Sequence, residues 1–166
     1  MAQDINAPQR FSCRERPTTV MAAGVIWVVF GCLILVNMAV NLALTAGKAQ
    51  APGGVCTGWL AILFGAGFIH VGVQSIRGTA RDTLGNGIGS IIFALLNGGI
   101  GALLVLAAAA LGGADALGPA IIGAINLLSS IGLLVAGVLA LVGREDYKAW
   151  RQSEKSRRKA LEAEGK

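Results

Sequence analysis

The sequence predicts an all-α membrane protein with four transmembrane helices, arranged as two tandem parallel hairpins of the same orientation. Three observations carry this. Of 166 residues, 54% are hydrophobic and only 14% charged, against about 25% charged in a soluble domain, and mean hydropathy is +0.66. From Val20 to Val142 the only charged residues are Lys48, Arg77, Arg81, Asp82 and Asp115, which leaves four long apolar runs. A glycine pattern also repeats along the chain at an offset of 65, and self-similarity at a fixed period is the mark of a repeat.

Residues 1–17 form a short N-terminal segment carrying Arg10, Arg14 and Arg16. The first hairpin, 18–78, holds apolar runs over Val20 to Ala46 and Val55 to Ile76. Each meets the roughly 20 residues needed to cross hydrocarbon as a helix. Strands are excluded by run length and by the lack of alternation. Ala49-Gln50-Ala51 mimics a signal-peptide cleavage site, but the preceding run far exceeds the 7 to 15 residues of such a segment, so the first helix is expected to stay. A connection over 79–83 leads to the second hairpin, 84–143, with runs over Leu84 to Leu111 and Leu117 to Val142. The tail, 144–166, reads as a basic helix continuing the fourth run. Tyr147 and Trp150 suit the headgroup level.

Slid against itself by 65, the chain places seven of the ten glycines between Gly24 and Gly78 on glycine, among them Gly24 on Gly89, Gly58 on Gly123 and Gly72 on Gly137. The turn G-x-A-x-A-x-G recurs as Gly47 to Gly53 and Gly112 to Gly118. An even number of crossings per unit makes the two copies parallel, unlike inverted transporter repeats. Gly58, Gly65 and Gly72 fall every seven residues on one face, the pattern expected where small residues let helix backbones approach.

Basic residues stay on the cytoplasmic side of short loops. All of the 14 Lys and Arg except Lys48 lie in the N-terminal segment, in or just before the middle connection (Arg77 and Arg81), or in the tail. Both termini are therefore expected in the cytoplasm of a bacterial inner membrane, with the two G-x-A-x-A-x-G turns outside. Net charge +5 is then a topology signal and implies no nucleic-acid partner.

Polar residues inside the runs are the candidate sites. His70, Gln74, Arg77 and Arg81 follow one another at four, three and four residues, which keeps them within about 60° on one helical face. An ionisable residue in a span is a functional-site hypothesis, and this stripe is a candidate for binding an anionic lipid headgroup or small anion. The structural alternative is that the arginines snorkel and His70 bonds to a neighbouring helix. Asn37, Asn41, Asn97, Asn126, Ser129 and Ser130 form a deeper set, expected to bond between helices as a clamp worth roughly 0.6 to 2 kcal/mol per bond. The basic run in 144–159, with Arg77 and Arg81, is expected to draw anionic lipid at about 1 kcal/mol per residue.

Catalytic and cofactor chemistries find no footing. One His falls short of the three or four ligands of a zinc site. Cys13, Cys32 and Cys56 are expected at three different depths. Leu84 to Ser90, LGNGIGS, lacks both the G-x-G-x-x-G spacing and a Walker lysine. The expectation is no enzyme, no metal and no cofactor.

The duplicated glycine-rich hairpin resembles in architecture the duplicated proteolipid rotor subunits of vacuolar-type ATPases. That family needs a carboxylate within a span, and none of the four runs holds one, so its function does not carry over. Small four-helix multidrug exporters are set aside on the same ground. The functional expectation is a non-enzymatic structural or accessory subunit, or a small assembly factor, in a homo- or hetero-oligomer. The alternative is a small transporter or channel built from packed hairpins.

Overall fold

The computed structural model describes residues 16–45 and 52–164, with side-chain surroundings for 16–43 and 60–163. Five helices follow in order: α1 Thr18–Thr45, α2 Pro52–Arg77, α3 Thr83–Leu111, α4 Leu117–Val142 and α5 Arg144–Glu164. A short 3-10 turn, Gly113–Ala116, precedes α4. No strand occurs among the described residues. Each of α1 to α4 contains a stretch long and apolar enough to cross a membrane.

The interior is built from small residues. Ala23, Ala94, Ala136 and Ala140 pack with Trp27, Ile34 and Leu133 at its centre, while Ser75, Ser90 and Ser129 are buried beside them. The outward faces carry the large aliphatics: Leu95, Leu103, Leu106, Ile131 and Val142 are 63–69% exposed. A water-soluble bundle does the reverse, since burying leucine is its main source of stability. Lipid tails are as apolar as leucine, so a bundle in lipid gains from close backbone packing instead.

Glycines set that packing. α1 lies against α2, α3 against α4, and α1 also against α4. A Cβ on Gly72 would stand 2.5 Å from Gly24 O, and one on Gly31 2.8 Å from Gly65 O. Across α3 and α4, a Cβ on Gly137 would stand 2.8 Å from Gly87 O, and one on Gly123 2.8 Å from Gly101 O. The neighbours correspond as well. Gly24 faces Ile76 and Gly72 faces Val28, while Gly87 faces Leu141 and Gly137 faces Ile91.

The contact register of the two helix pairs does not follow a single offset. Gly72 to Gly137 is 65 positions, but the helix that each packs on shifts by 63, from Gly24 to Gly87. At Gly89, the position that an offset of 65 assigns to Gly24, a Cβ would meet nothing within 4 Å. A two-residue slip turns a helix by about 200°, so Gly24 and Gly89 lie on different faces. Gly65 makes a close approach to α1, while the side-chain surroundings of Gly58 lie outside the described residues. So do Gly47 to Ala51 of the first turn motif, together with Arg10, Cys13 and Arg14.

The tail is helical, but α4 does not run on unbroken. Gly143 interrupts the helix, and α5 then seats its first two turns under the α2–α3 connection. Tyr147, with 2% of its surface exposed, packs with Val20 and Ala80. Tyr147, expected at the headgroup level, is thus buried between α1, the α2–α3 connection and α5. Gly78 ends α2 at φ 74°, a left-handed turn that suits glycine, and a Cβ there would stand 2.7 Å from the Trp150 ring. Asp82 starts α3 by accepting a hydrogen bond from Gly85 N at 2.9 Å, the usual use of an Asp at a helix N-cap.

Candidate functional site

Four of the six deep polar residues come together. Asn37 Nδ2 on α1 donates to Asn126 Oδ1 on α4 at 2.6 Å. Asn97 Nδ2 on α3 donates to Asn126 O at 3.0 Å and to Ser130 Oγ at 3.2 Å. Ser130 in turn donates to Asn126 O at 2.7 Å, a carbonyl one turn back on its own helix. Ser129 does likewise to Ile125 O at 2.8 Å, so it does not reach across to another helix by that bond. Asn41 is exposed and has a partner of its own. Three helices thus meet through amides, and one buried acceptor, Asn37 Oδ1, has no protein partner.

A second buried chain of hydrogen bonds was not among the sequence candidates. Trp27 Nε1 on α1 donates to Ser90 Oγ on α3 at 3.0 Å, and Ser90 Oγ donates to Leu133 O on α4 at 2.7 Å. Trp27 and Ser90 are fully buried. One signal was present in the sequence. Trp27 stands nine residues into α1, about 14 Å from its start, away from the interface where tryptophans collect, and a buried indole N–H needs an acceptor.

The polar stripe on α2 divides. His70 and Gln74 hydrogen-bond to each other, Nε2 to Nε2 at 2.7 Å, on an exposed face. Neither bonds to another helix there. Gln74, Arg77 and Arg81 line a hollow of about 600 Å³ between the α2–α3 connection and α5, and His70 does not line it. The structure adds Arg16, Arg151, Lys155 and Arg158 to the same hollow. Arg16 reaches it from just before α1, and the return of α5 brings in Arg151, Lys155 and Arg158, which lie 70 or more residues beyond Arg81 in sequence.

The walls of this hollow are held from behind. Arg16 donates through its guanidinium to Ile76 O and Arg77 O and stacks over the Trp150 ring at 5.1 Å, a cation–π contact. Arg151 donates to Ala80 O at 2.7 Å, and Tyr147 donates to the same carbonyl at 3.2 Å. Glu154, the one carboxylate in the lining, pairs with Arg157 at 2.8 Å and Arg158 at 3.6 Å. The Arg157 hydrogen bond holds its pKa below the usual glutamate value, so it remains an anion engaged with its own helix.

Burial raises the Tyr147 pKa above 10.0, partly offset by Arg151, the hydrogen bond to Ala80 O, and Arg16. The folded state therefore prefers the neutral phenol. The stabilisation from docking α5 is complete below the unfolded pKa and falls as pH rises through the folded one. Tyr147 is the only tyrosine in the chain, so a phenolate absorbance titration reports it alone. The expected midpoint lies above 10.0 in the native protein and returns to about 10 on denaturation; equal midpoints contradict the docking.

Among the described residues no group of three His, Cys, Asp or Glu is placed to hold a metal ion. Cys32 is a free, exposed thiol on α1. The bundle, its small-residue interior and its aliphatic exterior define the class of multi-pass membrane proteins. No protein-family model, curated protein or solved structure matches the chain.

Proposed function

We propose that this is a non-enzymatic protein of a bacterial inner membrane, with both termini in the cytoplasm, that acts through helix and lipid contacts as a structural or accessory subunit or a small assembly factor. The observation that carries this reading is the bonding of the deep amides across three helices, with Asn37 Oδ1 the one buried amide atom among the described residues left without a protein partner. Asn37, Asn97 and Asn126 direct their hydrogen bonds to one another, to Ser130 and to backbone, which is the work of a clamp fixing helix rotation. An amide-lined path would keep such groups turned toward a passing solute. The orientation rests on the distribution of Lys and Arg. The absence of enzymatic chemistry rests on the single His and on apolar runs without an acid.

The two glycine-registered pairs, α1 with α2 and α3 with α4, are read as a duplicated hairpin in which the first helices correspond at 63 residues and the second at 65. The shared elements are backbone contacts; the stripe from His70 to Arg81 belongs to one copy alone. A surface glycine on α3, Gly99, has open space beside it and offers another helix a close approach in an oligomer.

Gentle extraction followed by native mass analysis tests this reading, with stoichiometric partner chains or a defined oligomer as the expected result. In reconstituted vesicles, Asn97→Leu is expected to change no solute flux and to lower bundle stability by roughly 0.6 to 2 kcal/mol. A flux that Asn97→Leu abolishes would establish the transporter alternative instead. His70→Ala with Gln74→Ala is expected to leave the fold intact, because their mutual bond lies on an exposed face.

A further inference from the structure

We propose that one anionic phospholipid binds between α2, α3 and α5, with its phosphate in the basic hollow and an acyl chain in the apolar cleft beside it. The inference rests on the chain being a membrane protein and extends the lipid contacts proposed above to a single built site.

The hollow supplies the charge. Arg16, Arg77, Arg81, Arg151, Lys155 and Arg158 surround it, and Glu154 is its sole carboxylate. Arg16 and Arg151 are fixed to backbone carbonyls, whereas Arg77, Arg81 and Lys155 take part in no ion pair among the described residues. Like charges gathered in one cavity repel, and a phosphate placed among them relieves that repulsion while accepting their hydrogen bonds. A second hollow of about 250 Å³ shares Arg81, Arg151 and Lys155 with the first and extends to Leu84.

A separate apolar cleft, sharing no lining residue with either hollow, follows along α2 and α3, where its Val71 stands three residues from Gln74 of the first hollow. This cleft of about 240 Å³ lies between α2 and α3, running from Gly85 to Phe93 along α3 and lined on α2 by Leu63, Phe64, Gly67, Phe68 and Val71. Phe93 closes its far end against Phe64 and Phe68, with ring centroids 4.6 and 5.2 Å apart. From Gly85 to Phe93 is about 12 Å at 1.5 Å per residue, most of a half-bilayer of about 15 Å. The cleft is open because its glycines carry no side chain: a Cβ on Gly67 or Gly89 would meet nothing within 4 Å. Glycine lowers helix stability relative to alanine, and here it is not repaid by helix contact as it is at Gly72. A free phosphate has use for the hollow alone, and a zwitterionic lipid brings an ammonium group into a cluster of cations. Only an anionic phospholipid uses both parts.

The full-length protein is reconstituted into phosphatidylcholine vesicles containing phosphatidylglycerol, extracted gently and weighed by native mass spectrometry. One phosphatidylglycerol retained per chain is the expected result. Arg81→Gln combined with Lys155→Gln is expected to lower retention about tenfold or more. Gly67→Leu combined with Gly89→Leu fills the cleft from open positions and is expected to lower retention similarly, with unchanged helix content and unchanged binding of inorganic phosphate. Retention unaffected by the glycine pair reduces the site to a phosphate hollow and overturns the proposal. Equal retention of phosphatidylcholine also overturns it, as does a glycine pair that releases a second copy of the chain in place of a lipid. A chain that does not enter vesicles contradicts the membrane reading itself, and that outcome is distinct from the others.

Discussion

Gly72→Ile is expected to force α1 away from α2 and to destabilise the bundle by more than about 3 kcal/mol, the upper end of ordinary overpacking. The new Cβ alone stands 2.5 Å from Gly24 O and 2.7 Å from the Val28 side chain, and a backbone carbonyl on a packed helix has nowhere to retreat. Gly72→Ala already meets that contact. Its helix-propensity gain of about 1 kcal/mol is too small to offset it, so alanine too is expected to destabilise. Gly137→Ala is expected to behave in the same way, because its Cβ would stand 2.8 Å from Gly87 O. Gly67→Ala supplies the control: with open space around it only the propensity gain remains, and the variant is expected to be neutral or stabilised by up to about 1 kcal/mol. Denaturant titration of the purified protein in micelles measures all four. Equal effects at Gly72 and Gly67 would contradict the close approach of α1 and α2.

Trp27→Ala is the second large effect. Trp27 is fully buried at the centre of the core cluster, and truncating such a residue in a soluble core costs about 3–5 kcal/mol. Lipid solvates apolar surface that water would not, so the expected loss lies near the lower end, about 3 kcal/mol. Ser90→Ala removes less volume but leaves the Trp27 N–H without its acceptor, and a loss of about 1–3 kcal/mol is expected. Trp27→Phe keeps most of the volume and removes the donor, so it separates packing from hydrogen bonding. Combining Ser90→Ala with Trp27→Phe is expected to cost less than the two separate losses together, because the second change removes a group the first has orphaned. Strict additivity would show that the bond from Trp27 to Ser90 contributes nothing.

Much of this architecture was legible in the sequence, for a physical reason. A span must be long, apolar and internally hydrogen-bonded, so runs of hydropathy mark the four helices almost to the residue: Leu117 to Val142 was expected and is observed. Heptad glycines on α2 likewise announced a close-packed face, and Gly65 and Gly72 lie on it. Depth in the membrane follows from helical rise, which is why Asn37, Asn97 and Asn126 were expected at one level and do bond there.

Rotation and return paths were less legible. The offset of 65 sets Gly24 on Gly89, yet Gly24 packs closely on α2 while Gly89 has open space beside it, because composition along a helix does not report which face a glycine occupies. The basic hollow was half visible: Gln74 and Arg77 share an α2 face, but α2 ends at Arg77, so Arg81 lines the hollow from the α2–α3 connection, Arg16 from just before α1, and Arg151, Lys155 and Arg158 only through the break at Gly143 and the seating of Tyr147 under Ala80. No periodicity in the tail encodes that contact. The pairing of Trp27 with Ser90 was not legible, because an indole reads as apolar in a hydropathy run and a lone serine is ordinary there, although a buried indole N–H requires an acceptor.

The central claim is a bundle that crosses the membrane four times with both ends on one side. Membrane-impermeant thiol labelling in sealed vesicles of known orientation, with single cysteines placed in a background lacking Cys13, Cys32 and Cys56, tests it directly. The account predicts that Asp115→Cys, in the turn before α4, is labelled from the outer face, while Arg81→Cys and Ser153→Cys are labelled only from the cytoplasmic face. Labelling of Asp115→Cys and Ser153→Cys from the same face would contradict it.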